Sequence, residues 1–359
     1  MKEQRKVAII HNLTGGGGAV RAIKETNKFL AGHYLLKTFT PEKYNEKGKK
    51  GIQKIISYLK YIYFTLPQSY RKISSRIDNG NYAATILHHD TYTKAPVALL
   101  YLKNKSIYIL HEPPREFYEP LKFHAPSIGD KVFTLLRLPI FILDKVLTRH
   151  ATIVISNSKF SKSRIDKIYG VRSKLIYCGV SEKFHSLRNC KALEMCISVG
   201  SLLPYKGHDL TISAISKLEN KPKLLIIGRG RKREKEKLLA LAKKGGVDIE
   251  INDTVSEMKL NEMYNKSKLF INSAYREPFG LSALEALTVG AQVVTVNECG
   301  TQELKKYFQK KVIVVSRSAE SLSIGIRKAL SNRITRRARV PEVFKWRNTA
   351  NEIRKIIES

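Results

Sequence analysis

Short apolar runs alternate along this chain with longer stretches of helical periodicity. In the first half the runs are Val7–Ile10, Tyr34–Phe39, Ala83–Leu87, Ser106–Leu110, Thr152–Ile155 and Leu175–Tyr177. In the second they are Cys196–Val199, Lys223–Ile227, Val247–Ile251, Leu269–Asn272, Gln292–Val296 and Val312–Val315. Runs that are continuously apolar and separated by helices predict parallel strands covered on both faces. Two such series predict an α/β chain of two facing, Rossmann-like, doubly wound domains, residues 1–180 and 181–340, with a terminal helical segment at 341–359. The boundary falls in the polar stretch Gly179–Glu194, which has no convincing periodicity. No internal repeat of solenoid length is present.

Two segments interrupt the alternation. Gly51–Leu66, inside a basic insert at about 43–78, spaces Ile52, Ile55, Ile56, Leu59, Ile62 and Tyr63 helically among Lys54 and Lys60. Leu121–Arg149 is likewise apolar and basic, from Phe133 to Leu143. Such segments suit an anionic membrane surface, and packing on the first sheet with solvated lysines is the alternative.

Composition changes this picture in one respect. A hydrophobic fraction of 43% and a charged fraction of 27% are ordinary for a globular protein, but the net charge is +34. The excess is spread evenly, with 31 basic and 12 acidic residues in 1–180 and 34 and 19 beyond. A field of that kind attracts nucleic acid, anionic lipid or nucleotide diphosphates. Cys178, Cys190, Cys196 and Cys299 lack metal-type spacing and read as reduced thiols. The first apolar run is too short for a signal peptide, and no run reaches the length of a membrane span. The expected location is cytoplasmic, with the inner face of the cell membrane as a peripheral option.

The densest chemistry lies in Tyr275-Arg276-Glu277-Pro278-Phe279-Gly280-Leu281-Ser282-Ala283-Leu284-Glu285-Ala286-Leu287. Leu281, Leu284 and Leu287 recur at helical spacing, so a helix begins near Gly280 with unpaired N–H groups able to hold a diphosphate. Glu277 and Glu285 flank that point, where carboxylates suit the hydroxyls of a sugar and a ribose. Upstream, Gly15–Gly18 follow the first strand and precede a helix, which lets backbone approach a ligand closely. The loop is neither a P-loop nor a full dinucleotide fingerprint. His111 and Glu112 follow the strand ending at Leu110, at the edge where α/β proteins contact ligands. Arg115 is a candidate for an acidic or phosphorylated acceptor. Lys206 and Arg229 lie in turns after the first two strands of the second series.

The Glu277-to-Glu285 segment resembles the Glu-x7-Glu motif of the family 4 glycosyltransferases, which are retaining enzymes of GT-B architecture. Other resemblances follow in order: Gly17-Gly18-Ala19-Val20-Arg21, His111, Lys206-Gly207, Cys299-Gly300-Thr301 and Phe344–Ala350. The resemblance implies a C-terminal helix crossing back to the first domain and a nucleotide-sugar co-substrate, UDP- or GDP-linked, with no cofactor. It also implies catalytic roles for His111 and Glu277. Donor contacts fall to Gly17, Gly18, Lys206, Arg229, Glu277, Phe279, Gly280, Leu281 and Glu285, and acceptor contacts to Gly16 and Arg115. The acceptor is a sugar or a lipid-linked molecule, and no specific nucleic acid is expected. Ser201 stands where the family carries an arginine on the diphosphate, and Arg229 is the candidate replacement. No Asp-x-Asp is present, so no metal is assigned. The rival readings are a basic nucleic-acid-binding protein, an NAD-dependent enzyme, and a catalytically inactive GT-B-like module that binds membranes.

Overall fold

Twelve strands form two separate parallel sheets in the computed structural model, which describes residues 4–15, 17–123, 128–188, 190, 192–253, 255–332 and 339–359. The first contains β1 (Lys6–Ile10), β2 (Leu35–Phe39), β3 (Tyr82–His88), β4 (Ser106–Ile109), β5 (Ile153–Ser156) and β6 (Lys174–Leu175), in the order β2-β1-β3-β4-β5-β6. The second contains β7 (Leu193–Val199), β8 (Lys223–Ile227), β9 (Ile249–Asn252), β10 (Ser267–Asn272), β11 (Gln292–Val296) and β12 (Val312–Val315), in the order β12-β11-β10-β7-β8-β9. This is the GT-B arrangement of two Rossmann-like domains. Helices cover both faces of each sheet, which is why Val7–Ile10 and Gln292–Val296 are buried throughout.

The chain crosses from the first domain to the second through 176–192 and returns at Lys345. The two crossings touch: Val180 N–H donates to the Phe344 carbonyl at 2.9 Å. A Cβ on Gly179 would lie 2.3 Å from the Trp346 nitrogen, so only glycine allows this approach. The returning helix Trp346–Glu358 buries Ala350, Ile353, Ile356 and Ile357 against Val7, Leu30, Ile86 and Ile107 of the first domain. Its capping stretch stays with the second domain, where Phe344 and Trp346 pack beside Tyr177 and Phe279.

The basic insert is not one helix. It comprises Gly51–Lys60, a π-helical turn Tyr61–Thr65, and Leu66–Asp78 behind it. Tyr61, Ile62, Leu66, Tyr70 and Ile73 pack in the first domain's core, whereas no residue of Gly51–Lys60 is buried. Ile128–Leu136 lies alongside, with the Tyr58 and Phe133 rings 5.2 Å apart. Among the described residues no helix is long and apolar enough to cross a membrane.

The C-terminal helix should behave as part of the first domain's core. Ile353→Ala is expected to lower stability by about 2–4 kcal/mol through the cavity it leaves, read as a drop in denaturation midpoint with unchanged m.

Candidate functional site

Each sheet reverses its strand order once, between β1 and β3 in the first and between β7 and β10 in the second. Loops at such a point diverge and open a crevice at the carboxyl edge of the sheet. The residues singled out above leave from these edges. Gly15–Gly18 follow β1, Gly200–Gly207 follow β7, and Ser273–Gly280 follow β10.

The second domain's two loops are strapped together. Tyr275 N–H donates to the Tyr205 carbonyl at 2.7 Å, and the Ser273 hydroxyl donates to the Gly207 carbonyl at 2.6 Å. Gly207 has φ +71°, and a Cβ there would meet the Ser273 carbonyl at 2.4 Å. This strapping brings Lys206 Nζ to 2.6 Å from Glu277 Oε2. Burial alone would lower the Lys206 pKa, but the Glu277 carboxylate more than offsets it and holds the ammonium above its ordinary value. Gly280, at φ +92° and packed on Thr301, caps the helix Leu281–Thr288. Phe279 turns its ring into the core beside Tyr177 and Phe344, so its own contribution to the cleft is backbone.

Glu285 is buried within that helix and accepts from the Tyr264 hydroxyl at 3.0 Å. Its second oxygen forms an ion pair with Arg21, which reaches over from the glycine-loop helix Gly18–Leu30 of the first domain. Arg21 also lies 3.2 Å from Glu257 and over the Phe184 ring. Burial pushes the Glu285 carboxyl up to about 7, and Arg21 and the Tyr264 hydroxyl only partly counter it. Gly18 lies on the same seam: a Cβ there would meet Leu281 Cδ1 at 3.3 Å. Gly17 is the exposed N-cap of the glycine-loop helix, and Gly16 lies outside the described residues.

His111 extends from the end of β4. Its Nδ1 is 3.4 Å from Asn157 Nδ2, and its Nε2 is buried without a partner. The rings of His88 and His89 flank it at 6.4 and 5.7 Å. Burial pushes its pKa down to about 4, so near neutral pH it is an uncharged hydrogen-bonding group. Ser161, whose hydroxyl donates to the His111 carbonyl, also lies 3.2 Å from the Pro278 carbonyl, which links His111 to the Glu277 turn.

Arg115, expected at an acceptor, is buried and its guanidinium is already committed. It donates to Glu112 at 2.8 Å, Glu119 at 2.9 Å, and the carbonyls of Tyr275 and Arg276 at 3.0 and 3.1 Å. Arg229 is exposed, and its carbonyl accepts from Leu202 N–H in the turn that holds Ser201. Among the described residues no group of three or more His, Cys, Asp or Glu is placed to hold a metal ion.

Sequence reasoning did not find the partners of Arg21, nor Tyr264, nor Glu303. The Glu303 carboxylate accepts from the backbone N–H groups of Lys159 and Phe160, capping a helix of the opposite domain. One signal for Arg21 was available: a cation one turn into a helix opposes the dipole unless a carboxylate meets it.

The raised Glu285 pKa has a measurable consequence. The folded state binds more protons than the unfolded one between pH 4.5 and about 7, so this group's contribution to stability falls as pH rises through that window. Glu285→Gln removes the titration, and the melting temperature of the parent chain relative to the variant is expected to decline from pH 5 to 7.5. Parallel profiles would assign the proton elsewhere.

Residues 181–346 match the family model Glycosyl transferases group 1. An uncharacterized glycosyltransferase of Methanocaldococcus jannaschii, MJ1607, is 26% identical over 239 residues, 59% of this chain and 61% of that protein. Lipopolysaccharide glucosyltransferase WaaG of Escherichia coli is 30% identical over 142 residues, 38% of this chain and 37% of that protein. The chain thus spans less than two thirds of the length of these curated relatives. Among solved structures, sucrose-phosphate synthase from Thermosynechococcus elongatus superposes with TM-score 0.70 at 13% identity, covering 99% of this chain and 98% of that one. Anabaena HepE, in complex with UDP and glucose, gives TM-score 0.70 at 15% identity, covering 99% and 100%. The second domain, residues 181–346, thus matches the group 1 glycosyl transferases, and the fold of the whole chain is that of these two solved structures.

Proposed function

We propose that this chain transfers a sugar from a nucleoside diphosphate sugar to a hydroxyl acceptor, as a hexosyltransferase that retains anomeric configuration. The observation that carries the reading is the convergence of Lys206, Glu277 and the start of the Leu281–Thr288 helix at the switch point of the second sheet. A helix N-terminus and an ammonium suit a diphosphate, and the two carboxylates suit the hydroxyl groups on either side of it.

In this reading Glu277 holds donor-sugar hydroxyls, Glu285 meets the ribose, and neutral His111 steadies the donor sugar. Gly17, Gly18 and the backbone at Phe279, Gly280 and Leu281 approach the phosphates, with Arg229 at the margin. As the bond from the anomeric carbon to the phosphate oxygen breaks, negative charge grows on the leaving diphosphate, where Lys206 and the helix N–H groups stabilise it. The acceptor oxygen forms the new bond and its proton passes to the leaving phosphate. Retention rests on the family resemblance. A uridine nucleotide is favoured over a guanosine one by the UDP in the HepE complex.

The acceptor class we favour is lipid-linked, in envelope polysaccharide or glycolipid assembly at an anionic membrane surface. Ile52, Ile56 and Phe64 of the insert and Ile128, Val132 and Leu135 of the neighbouring helix are each more than half exposed, and Lys54, Lys60 and Lys131 lie among them. Apolar side chains ringed by lysine match an anionic bilayer in both chemistry and charge.

Two experiments test these readings. Thermal stabilisation across UDP-, GDP-, ADP- and dTDP-linked sugars is expected to single out one donor, and Lys206→Ala is expected to lower turnover at least tenfold. Stabilisation by short RNA and by none of the donors would end the enzyme reading. Binding to vesicles containing phosphatidylglycerol, but not to pure phosphatidylcholine, is expected to be lost in Ile52→Glu/Ile56→Glu. Equal binding by parent and variant would remove the membrane face.

A further inference from the structure

The turn that presents Glu277 is held in place from the opposite domain. Its residue Arg276 has φ +50°, a left-handed backbone that a non-glycine side chain rarely adopts without support. At the Tyr275 and Arg276 carbonyls that support crosses the cleft: Arg115, on the short helix Arg115–Tyr118 of the first domain, donates to both, at 3.0 and 3.1 Å. Its plane also stacks on Tyr205, 4.4 Å from the ring centre, the residue whose carbonyl receives Tyr275 N–H. A second crossing contact runs the other way, from Arg276 Nη1 to the Tyr118 carbonyl at 3.2 Å.

The guanidinium is fixed by its own domain before it reaches across. Glu112 and Glu119 bind it at 2.8 and 2.9 Å, and Glu119 is fully buried and also paired with Arg164 at 3.1 Å. An arginine gripped by two carboxylates, with its remaining donors aimed at two consecutive carbonyls, has the fork geometry that a lysine cannot reproduce. Its hydrogen bonds go to the carbonyls of the turn and not to the Glu277 carboxylate, whose charge it nonetheless feels.

We propose that Arg115 is a positioning residue that ties domain closure to the placement of Glu277. With the domains apposed, the fork locks the Tyr275–Glu277 turn in its left-handed form and aims the carboxylate at Lys206. With the domains apart, the two carbonyls lose their donors, the turn relaxes and Glu277 leaves its alignment. The donor-side carboxylate is then competent only when the acceptor-side domain has arrived, which limits futile cleavage of the donor. The part of this statement that concerns turnover rests on the function proposed above.

The test separates the two. Hydrogen exchange is measured on the full chain for peptides covering 273–281 and, as an internal control, β11, in the parent, Arg115→Met and Arg115→Lys. Glu119 keeps Arg164 in both variants, and if the methionine variant does not fold, the lysine variant carries the measurement. Exchange in 273–281 is expected to rise at least tenfold in both, with β11 unchanged. Turnover of the donor is expected to fall at least tenfold while affinity for the free nucleoside diphosphate changes less than threefold. Adding Arg276→Gly, which makes the left-handed turn inexpensive, is expected to restore part of the turnover lost in Arg115→Met. Unchanged exchange in 273–281 overturns the proposal, as does a loss confined to the KM of the acceptor. Faster exchange with no turnover by the parent on any nucleotide sugar leaves the positioning role standing and removes the proposed function.

Discussion

Charge cannot be left unpaired where two domains close on each other, and this constraint organises the cleft. Three cations of the cleft carry carboxylate partners: Arg21 has Glu285 and Glu257, Lys206 has Glu277, and Arg115 has Glu112 and Glu119, while Arg276 and Arg317 donate to the Tyr118 and Ser273 carbonyls. Desolvation makes an unpaired charge there far costlier than on the surface, so the pairs are set as much by burial as by attraction. The arrangement has a chemical use. A cation already desolvated and held by a carboxylate can exchange that partner for a phosphate, with little new desolvation at the moment of binding. A carboxylate released in the exchange becomes an acceptor for hydroxyl groups. The protein's own ion pairs thus outline the charges of the ligand they would receive.

The fold supplies the framework for that exchange through two chain crossings set side by side. Gly179 against Trp346, and Val180 against Phe344, place the outgoing and returning segments in contact. The Trp346–Glu358 helix then anchors the return in the first domain's core. The two covalent connections between the domains therefore lie side by side. Across the cleft run the Arg21 pairs, beside Phe184 of the outgoing segment, the Arg115 fork, and the Phe123 ring stacked on Tyr275 at 4.7 Å. A cleft closed by a mixture of ion pairs, hydrogen bonds and ring contacts is of the kind found between domains that move relative to each other.

How much of this was legible in the sequence follows from the range of each interaction. The central strands were, because a parallel strand covered on both faces must be apolar at successive positions, as Val293–Val296 and Leu224–Ile227 are, whereas the edge strand expected at Leu175–Tyr177 is the two-residue Lys174–Leu175. The cap at Gly280 was also legible, since glycine between Phe279 and a leucine repeat is a local signal. The two arginines were not. Arg21 and Glu285 are 264 positions apart, and Arg115 and Tyr275 are 160 apart, so no window of sequence contains both partners. Arg115 is the sharper lesson. An arginine beside a predicted ligand edge suggests an anion, yet Glu112 and Glu119 on the same short segment had already supplied two. The insert was legible as amphipathic but not as two layers. Nothing in Ile52 or Ile56 distinguishes them from Ile62, and only the packing of Ile62 against the first sheet leaves the others outside.

The net charge takes on a different meaning once the carboxylates are located. Glu112, Glu119, Glu257, Glu277, Glu285 and Glu303 all lie at the seam between the domains, where each meets a cation or a helix N-terminus. Six of the 31 acidic residues serve that seam, others such as Glu46, Glu262 and Glu342 pair with surface lysines, and a cationic excess remains on the outer surface. A long-range field from that surface draws polyanions towards the protein, but it acts over about a Debye length and falls with salt. It does not select a nucleotide. In the proposed function selection would fall to the cleft, where a ligand would have to replace an ion-pair partner in the right geometry. Attraction by the exterior and recognition by the interior are therefore separate properties of this chain, and a change on the lysine-rich insert alters the first without touching the second.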